Sequence, residues 1–503
     1  DGGYAVADYR EVDPRLGDRE DLRAVCTVLR ERGVSVCVDL VLNHCSDEHD
    51  WARRASAGES RYQDYFYLYE DRAAPDAYER TLPEVFPDLA PGNFTWRPEM
   101  ERWVWTTFHA YQWDLNWANP QVFLEMVRIM LDLANLGVEV FRLDAVAFLW
   151  KRLGTDCQNQ PEVHDLLQAL RACSKIATPA VAHKAEAIVS PDDLIHYFGT
   201  GRRYGKVSNI AYHNSLMVQF WSALASRDTR LMTHTLREFP RTPTSIAWGT
   251  YLRCHDDIGW AITDEDAGAV GLDGFAHRAF LSDYYSGAFP GSHARGAVFG
   301  YNPDTQDRRI SGSLASLAGL EAALEADDER LIALSIERML LGHALILGFG
   351  GIPLVYMGDE IGTLNDYGYR ADPEHAGDNR WLHRPAMDWR AAERRHQADS
   401  VEGRIFQGIR KLIRARSRTP HLHASYTTDV LDLGQPHLLG FARPHPLGTL
   451  VALMNFSERS QRVPTAVLRE HGIEQPYDQI TQTFVGVEED ELTLTPYQRL
   501  WLI

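Results

Sequence analysis

Short apolar runs separated by helical stretches recur from residue 34 to residue 356, and this alternation constrains the fold more than any other feature. The runs are Val34-Ser-Val-Cys-Val-Asp-Leu-Val, Val138-Glu-Val-Phe-Arg-Leu-Asp-Ala-Val, residues 179–186, Val207 to His213, Ser245 to Arg253, and Ile352-Pro-Leu-Val-Tyr. Such runs read as strands buried on both faces, as in a parallel sheet. Helices are predicted between them: Leu22 to Arg30, stopped by Gly33; Pro120 to Leu136, capped by Asn119 and stopped by Gly137; about 160–174; a long one from Asn214; Asp328 to Leu347; and 401–416. Strands alternating with helices predict a parallel α/β fold. Polar residues sit just past the strand ends: His44, Asp144, Glu186, His255, Asp256 and Asp359. That is the pattern of a (β/α)8 TIM barrel, whose site collects residues from the carboxyl ends of several strands. An open doubly wound sheet would need a Gly-rich phosphate turn, and the chain has no GxGxxG or P-loop.

Two segments break the rhythm. Residues 45–112, rich in Trp, Tyr, Pro and Asp, are too long for a βα loop and read as an inserted subdomain, as do 261–325. After about 420 the pattern becomes short alternating strands, so a barrel over 1–420 is expected to precede an all-β, sandwich-like domain over 421–503. The run Met339 to Gly358 is long enough to span a bilayer. It is broken by Gly342, His343, Gly348, Gly350, Gly351 and Pro353, and reads better as a buried helix, a glycine turn and a strand.

The formal charge of -19 argues against nucleic acid and anionic membrane as partners, and favours a neutral or cationic small molecule. Six cysteines without a CxxC pair read as reduced thiols of a cytoplasmic protein, not as a disulfide framework or a zinc site. The chain opens on Asp1-Gly-Gly-Tyr, without a methionine, so its start looks like an internal cut and a signal peptide cannot be read from it.

Arg142 and Asp144, two residues apart, fall on one face of their strand. A charge at the end of so apolar a strand needs a partner or a task. A structural ion pair would account for Arg-x-Asp alone; Glu186 and Asp256, at the ends of later apolar runs, tip the reading toward chemistry. Cleaving a glycosidic bond needs such a set: an acid on the leaving oxygen and a carboxylate on the opposite face of the sugar.

The strings Asp39-Leu-Val-Leu-Asn43-His44, Phe141-Arg142-Leu-Asp144-Ala-Val, Glu186-Ala-Ile and His255-Asp256-Asp257 resemble the four motif regions of the α-amylase superfamily, glycoside hydrolase family 13. Trp113-Asp-Leu-Asn116 and Gly351 to Glu360 resemble its auxiliary regions. A finer resemblance, to the amylosucrase branch, rests on Asp1-Gly-Gly-Tyr4, on the long insertion after His255-Asp-Asp-Ile-Gly-Trp260, on Tyr301 to Gly312, and on Asp378-Asn-Arg380-Trp-Leu-His-Arg-Pro.

The resemblance implies a retaining transfer of glucosyl units from sucrose to an α-1,4-glucan acceptor, with fructose release, side hydrolysis, and neither cofactor nor metal; it leaves room for a homodimer. Asp144 is then the nucleophile, which Arg142 would keep ionised. Glu186 is the acid/base, and Asp256 binds sugar hydroxyls. His44 and His255 would be neutral donors to the sugar, their plainer alternative being satisfied core histidines. Tyr4 and Phe108 would stack on the glucosyl ring, and Asp1 with Arg380 would form the pocket floor. Asp257 and Arg309 would meet the fructosyl unit or the acceptor, the alternative for Arg309 being a solvated charge beside Arg308. Departures from the family are Ala182-His183 before Lys184, and Cys254 before His255.

The family places a helical domain and two barrel strands before its Asp-Gly-Gly-Tyr. Six strands are therefore expected here, in a barrel truncated at its N-terminus with two open edges, and the chain reads as a fragment of a longer product. Other readings are a sucrose hydrolase, a starch-acting hydrolase or trehalose synthase of the same superfamily, and an inactive carbohydrate-binding or scaffold protein.

Overall fold

The computed structural model describes residues 2–87, 90–301 and 308–503. They form two compact units, Asp1–Tyr212 and His213–Ile503.

The first unit is built on four parallel strands, β1 (Cys37–Val41), β2 (Val140–Asp144), β3 (Ala182–Ala185) and β4 (Ile210–Tyr212), paired in that order. Val41 lies opposite Asp144 and Leu143 opposite Ala185, so the strands present their carboxyl ends at one level. The helix Pro120–Leu136 starts and stops where its caps require. The Asn119 side chain accepts from the Gln121 amide, Pro120 opens the first turn, and Gly137 closes the last at φ 116°. A Cβ on Gly137 would fall 2.7 Å from Cβ of Cys26, because the helix Arg19–Glu31 packs onto this corner.

β1 differs from the expectation of a strand buried throughout. Cys37 is exposed, Val34 before it is 49% exposed, and burial begins at Leu40. Among the described residues of this unit β1 pairs with β2 alone. The segment 45–112 holds a three-stranded antiparallel sheet of Leu68–Tyr69, Arg102–Trp105 and Phe94–Arg97. Its aromatics pack with one another: Phe94, Trp105 and Cys157 are buried against Tyr67, Tyr69 and Tyr78.

The second unit holds two further parallel strands, β5 (Ala247–Thr250) and β6 (Ile352–Pro353). The predicted strand from Ile352 to Tyr356 is thus cut to two residues, and Ile352 is 42% exposed where burial was expected; among the described residues of the unit its strand pairs with β5 alone. The apolar helix Glu329–Gly348 is long and apolar enough to cross a membrane, but most of that stretch is buried within the protein. It packs against Val401–Arg418 at Gly408, where a Cβ would come 2.6 Å from Leu340 Cδ2. The segment 261–325 carries the helices Asp264–Ala269 and Gly274–Tyr285 and a hairpin of Ala297–Phe299 with Arg309–Ser311.

The chain ends in an antiparallel sheet ordered Asp429–Leu431, Leu438–His445, Gly448–Asn455, Arg499–Leu502, Tyr477–Asp478, Thr483–Phe484. With the ladder Gln461–Pro464/Glu491–Leu494 it encloses a core of Leu438, Val451, Leu453, Val463, Leu492 and Leu500.

Replacing Gly137 by Ala combines a disfavoured φ with a clash at Cys26. The expected loss is about 1–3 kcal/mol, read as a lower urea midpoint for the transition that reports on the first unit. An unchanged midpoint would contradict this packing.

Candidate active site

In the first unit the site is set by the turn that follows β2. Ala145 adopts φ 52°, ψ 35°, left-handed and uncommon for a residue with a side chain. That turn aims the Ala145 amide at Glu186, whose Oε2 accepts at 2.8 Å, and the Glu186 amide donates to the Leu143 carbonyl at 2.9 Å. The acid is therefore tied by its side chain to the residue after Asp144 and by its backbone to the residue before it.

Arg142 lies beneath, 8% exposed at its side chain. Its Nη1 reaches Asp144 Oδ1 at 2.6 Å and Asp39 Oδ1 at 2.5 Å, and its Nε donates to the Tyr212 hydroxyl at 3.1 Å. Burial works against the guanidinium charge, but Asp144 and Glu186 outweigh it and hold the pKa well above the ordinary arginine value. The alternation argument thus holds, and the pairing of Asp39 with Arg142 across the ladder adds a second carboxylate that the sequence did not single out.

The predicted sugar-facing residues of this unit gather nearby. Tyr4 places its ring 5.6 Å from the Arg142 guanidinium, and its carbonyl meets His44 Nε2 at 3.1 Å. The Phe108 ring lies 5.2 Å from the His44 ring and 5.3 Å from that of Phe148. His44 is buried, and burial lowers its pKa despite the opposing charges of Asp114 and Asp144, which favours the neutral ring. With Tyr4 and Asn43 against its two ring nitrogens, His44 also meets the description of a satisfied core histidine.

Lys151 was missed. It is buried with Asp114 as an ion pair of 2.6 Å, and its Nζ also donates to the Phe148 carbonyl at 2.8 Å. Asp114 further accepts from Asn43 at 3.0 Å and from the Thr107 hydroxyl at 2.5 Å. The network holds Asn43 and Thr107, the residues just before His44 and Phe108. A lysine in the apolar stretch after β2 was the one available signal. Lys184 is buried on Arg142's face of the sheet, opposite Arg142 in register, with Nζ 3.7 Å from the Tyr212 ring centroid. His183 points the other way and is fully buried with no hydrogen-bond partner on either ring nitrogen.

In the second unit His255, Asp256 and Asp257 follow β5. Asp256 faces His255 Nε2 at 3.1 Å, Arg380 Nη1 at 3.4 Å and Arg384 Nη2 at 3.5 Å. Burial raises its pKa, but His255, Arg380 and Arg384 prevail and hold it well below the usual carboxylate range. Arg380 is itself forked onto Asp378, with Nη2 at 2.7 Å. Asp257 and Arg309, both assigned to the acceptor side, pair with each other at 3.3 Å, so Arg309 is not merely a solvated charge. Burial raises the Asp257 pKa, with Arg309 opposing and Asp256 adding to the rise.

Two residues not singled out hold the His255 carbonyl: Arg384 Nε at 2.7 Å and His383 Nε2 at 3.0 Å. Asp359 is sealed in an ion pair with Arg253 at 2.8 Å, and burial lifts its pKa to about 6 against that partner. Cys254, His255 and Asp256 bring a thiol, an imidazole and a carboxylate within 4.8 Å, the one grouping among the described residues with metal-ligand character. Two guanidiniums already neutralise its carboxylate, a poor start for a cation. Asp1, and residues 302–307 of the predicted Tyr301 to Gly312 stretch, lie outside the described residues.

Two outcomes test this geometry. Lys151→Met leaves Asp114 buried and unpaired and should cost about 3–5 kcal/mol; a companion Asp114→Leu change should restore much of it in urea unfolding, whereas additive losses would contradict the pairing. Burial holds the His183 pKa at about 4, with Arg171 adding to the shift. Its contribution to stability is therefore complete above the unfolded pKa of about 6.5 and is lost as pH falls toward 4. His183→Leu should make the fall in melting temperature over that window shallower; an unchanged slope would contradict the burial of a neutral ring.

The model for the α-amylase catalytic domain matches residues 1–259, and that for the amylosucrase C-terminal domain matches residues 430–503. The trehalose synthase of Pimelobacter sp. (strain R48) is 30% identical over 388 residues, 76% of this chain and 58% of that protein. The glucosylglycerate phosphorylase of Spirochaeta thermophila is 28% identical over 514 residues, 100% of this chain and 81% of its own. The chain thus spans less than two thirds of that trehalose synthase. Among solved structures, sucrose 6F-phosphate phosphorylase from Thermoanaerobacter thermosaccharolyticum is similar with a TM-score of 0.69 at 18% identity, covering 98% of this chain and 89% of its own. Isomaltulose synthase from Klebsiella sp. LX3 gives 0.67 at 17%, covering 100% and 89%. At these identities the structural likeness shows the fold, an α/β barrel of the TIM type with an antiparallel C-terminal domain. The match over residues 1–259, joined to the ordered motifs on β1, β2, β3 and the segment after β5, makes this chain a member of the α-amylase family, carrying an amylosucrase-type C-terminal domain.

Proposed function

We propose that the protein transfers glucosyl units from sucrose with retention of configuration, releasing fructose and extending an α-1,4-glucan, with hydrolysis as a side reaction. One observation carries the retaining chemistry: Glu186 Oε2 rests on the amide of Ala145, the residue next to Asp144, while Arg142 grips Asp144 from the same strand. Retention needs two carboxyl groups about 5–5.5 Å apart, one to attack C1 and one to protonate the leaving oxygen and then deprotonate the acceptor.

In this reading Asp144 attacks the anomeric carbon, the bond to the fructosyl oxygen breaks, and Glu186 gives that oxygen its proton. The ester on Asp144 then yields to the 4-hydroxyl of the glucan or to water, with Glu186 taking the proton back. Asp256, kept anionic by His255, Arg380 and Arg384, binds sugar hydroxyls as positive charge grows at C1. Asp257 and Arg309, already paired, would reorganise around fructose or the acceptor. Sucrose as donor is supported by the amylosucrase-type C-terminal domain.

A second reading is favoured by the likeness to glucosylglycerate phosphorylase along the whole chain: the same glucosyl-enzyme, discharged onto inorganic phosphate.

Incubating the full-length gene product with sucrose, with and without phosphate, separates them. The first reading expects fructose, less glucose than fructose, and iodine-staining polymer, indifferent to phosphate. The second expects glucose 1-phosphate and a phosphate-dependent rate. Absence of fructose under both conditions removes sucrose as donor. Asp144→Asn should lower turnover by at least about a thousandfold, in line with loss of a covalent nucleophile; substantial residual turnover would remove Asp144 from that role.

A further inference from the structure

Within the second unit, the arginine that faces Asp256 and the arginine that faces Asp257 share one aromatic ring. Phe299 is buried in the hairpin that pairs Ala297–Phe299 with Arg309–Ser311. The guanidinium carbon of Arg380 lies over the Phe299 ring, 4.9 Å from its centroid, and that of Arg309 lies over it at 5.0 Å. Both distances are within the range in which a cation is drawn to the negative face of a ring. The attraction grows where water is excluded, and the Arg380 side chain is only 6% exposed.

The backbone fixes this placement. Arg309 is directly opposite Phe299 in the hairpin register. The next residue, Ile310, exchanges both backbone hydrogen bonds with Ile258, at 2.8 and 2.9 Å, so the hairpin is fastened to the residue after Asp257. On the other strand the Val298 carbonyl accepts from Asn379 Nδ2 at 2.6 Å, which ties the residue before Phe299 to the residue before Arg380. Arg380 is itself anchored on Asp378, through Nε at 2.9 Å and Nη2 at 2.7 Å. The Arg309 head group packs close to the backbone at Gly300, where a Cβ would fall 2.6 Å from Nη2. Two cations drawn to one ring repel each other, and the carboxylates of Asp256, Asp257 and Asp378 offset that repulsion.

We infer that Phe299 is a positioning residue for the acceptor side. Its π face, held against the anchored Arg380, sets where the Arg309 guanidinium stands when Arg309 and Asp257 receive the incoming sugar. This rests on the assignment of Asp257 and Arg309 to that side of the site. A leucine would fill much of the same space without the ring's quadrupole, so bulk and charge attraction can be separated by experiment.

Mono-, di- and trifluorinated phenylalanine at position 299 of the full-length protein withdraw the negative face in steps at nearly constant volume. With α-glucosyl fluoride as donor and maltotetraose as acceptor, the ratio of transfer to hydrolysis should fall stepwise, by about three- to tenfold with three fluorines. The fall should come from a rising acceptor KM, with kcat for fluoride release in the absence of acceptor moving less. Phe299→Leu should fall at least as far. Gly300→Ala, which displaces Arg309 and leaves the ring in place, should give the same acceptor defect. A ratio indifferent to fluorine number would overturn the assignment. So would a lowered melting temperature at constant ratio, since that marks packing alone. If the unaltered protein releases no fluoride, the transfer reading fails separately, and the maltotetraose dissociation constant from calorimetry decides. Stepwise weakening with fluorine number supports the positioning role; a level constant, or no binding by the unaltered protein, overturns it.

Discussion

The guanidinium of Arg142 is the point on which the first unit's chemistry depends. It is buried beside two carboxylates and a tyrosine hydroxyl, and nothing about burial alone would keep a cation there. Asp39 from β1 and Asp144 from β2 supply the countercharge across a parallel register in which Asp39 lies opposite Arg142. The same ion pair that a structural reading of Arg-x-Asp would invoke therefore also holds the proposed nucleophile in one orientation. The left-handed turn at Ala145 completes the arrangement by giving Glu186 a backbone donor, so the two proposed catalytic carboxyl groups share a rigid frame of strand ends.

The second unit repeats the logic with different parts. Asp256 sits among an imidazole and two guanidiniums, and the balance of those charges against burial favours its anion. Asp257, one residue on, meets the opposite balance, because burial and the neighbouring Asp256 outweigh Arg309. Two adjacent carboxylates are thereby driven apart in proton affinity, which is how one site separates a fixed anion from an adaptable group. Arg380 and Arg384 each answer to more than one partner, so their positions are set by Asp378 and the His255 carbonyl as well as by Asp256.

Much of this was legible in the chain itself. The helix Pro120–Leu136 could be read to the residue because its caps are local: Asn119, Pro120 and Gly137 act on their own neighbours. The carboxylates were visible because each closes an apolar run. What escaped depends on contacts distant in sequence. Lys151 finds Asp114 37 residues earlier, and Arg384 finds the His255 carbonyl 129 residues earlier; neither bond has a local signature. The exposed first half of β1 and the exposed Ile352 were misread for a related reason. Composition marks a residue as fit for burial, but what lies beside its strand decides whether it is buried.

The central claim is that Asp144 carries the sugar between donor and acceptor. Trapping that ester tests it most directly. Glu186→Gln protein, given an activated α-glucosyl fluoride that needs no acid to leave, should accumulate a glucosyl adduct, because the second step still lacks its base. Peptide mass spectrometry should place one hexosyl group on the peptide containing Asp144. An adduct on another side chain, or rapid turnover with inverted anomeric configuration and no adduct, would contradict the account.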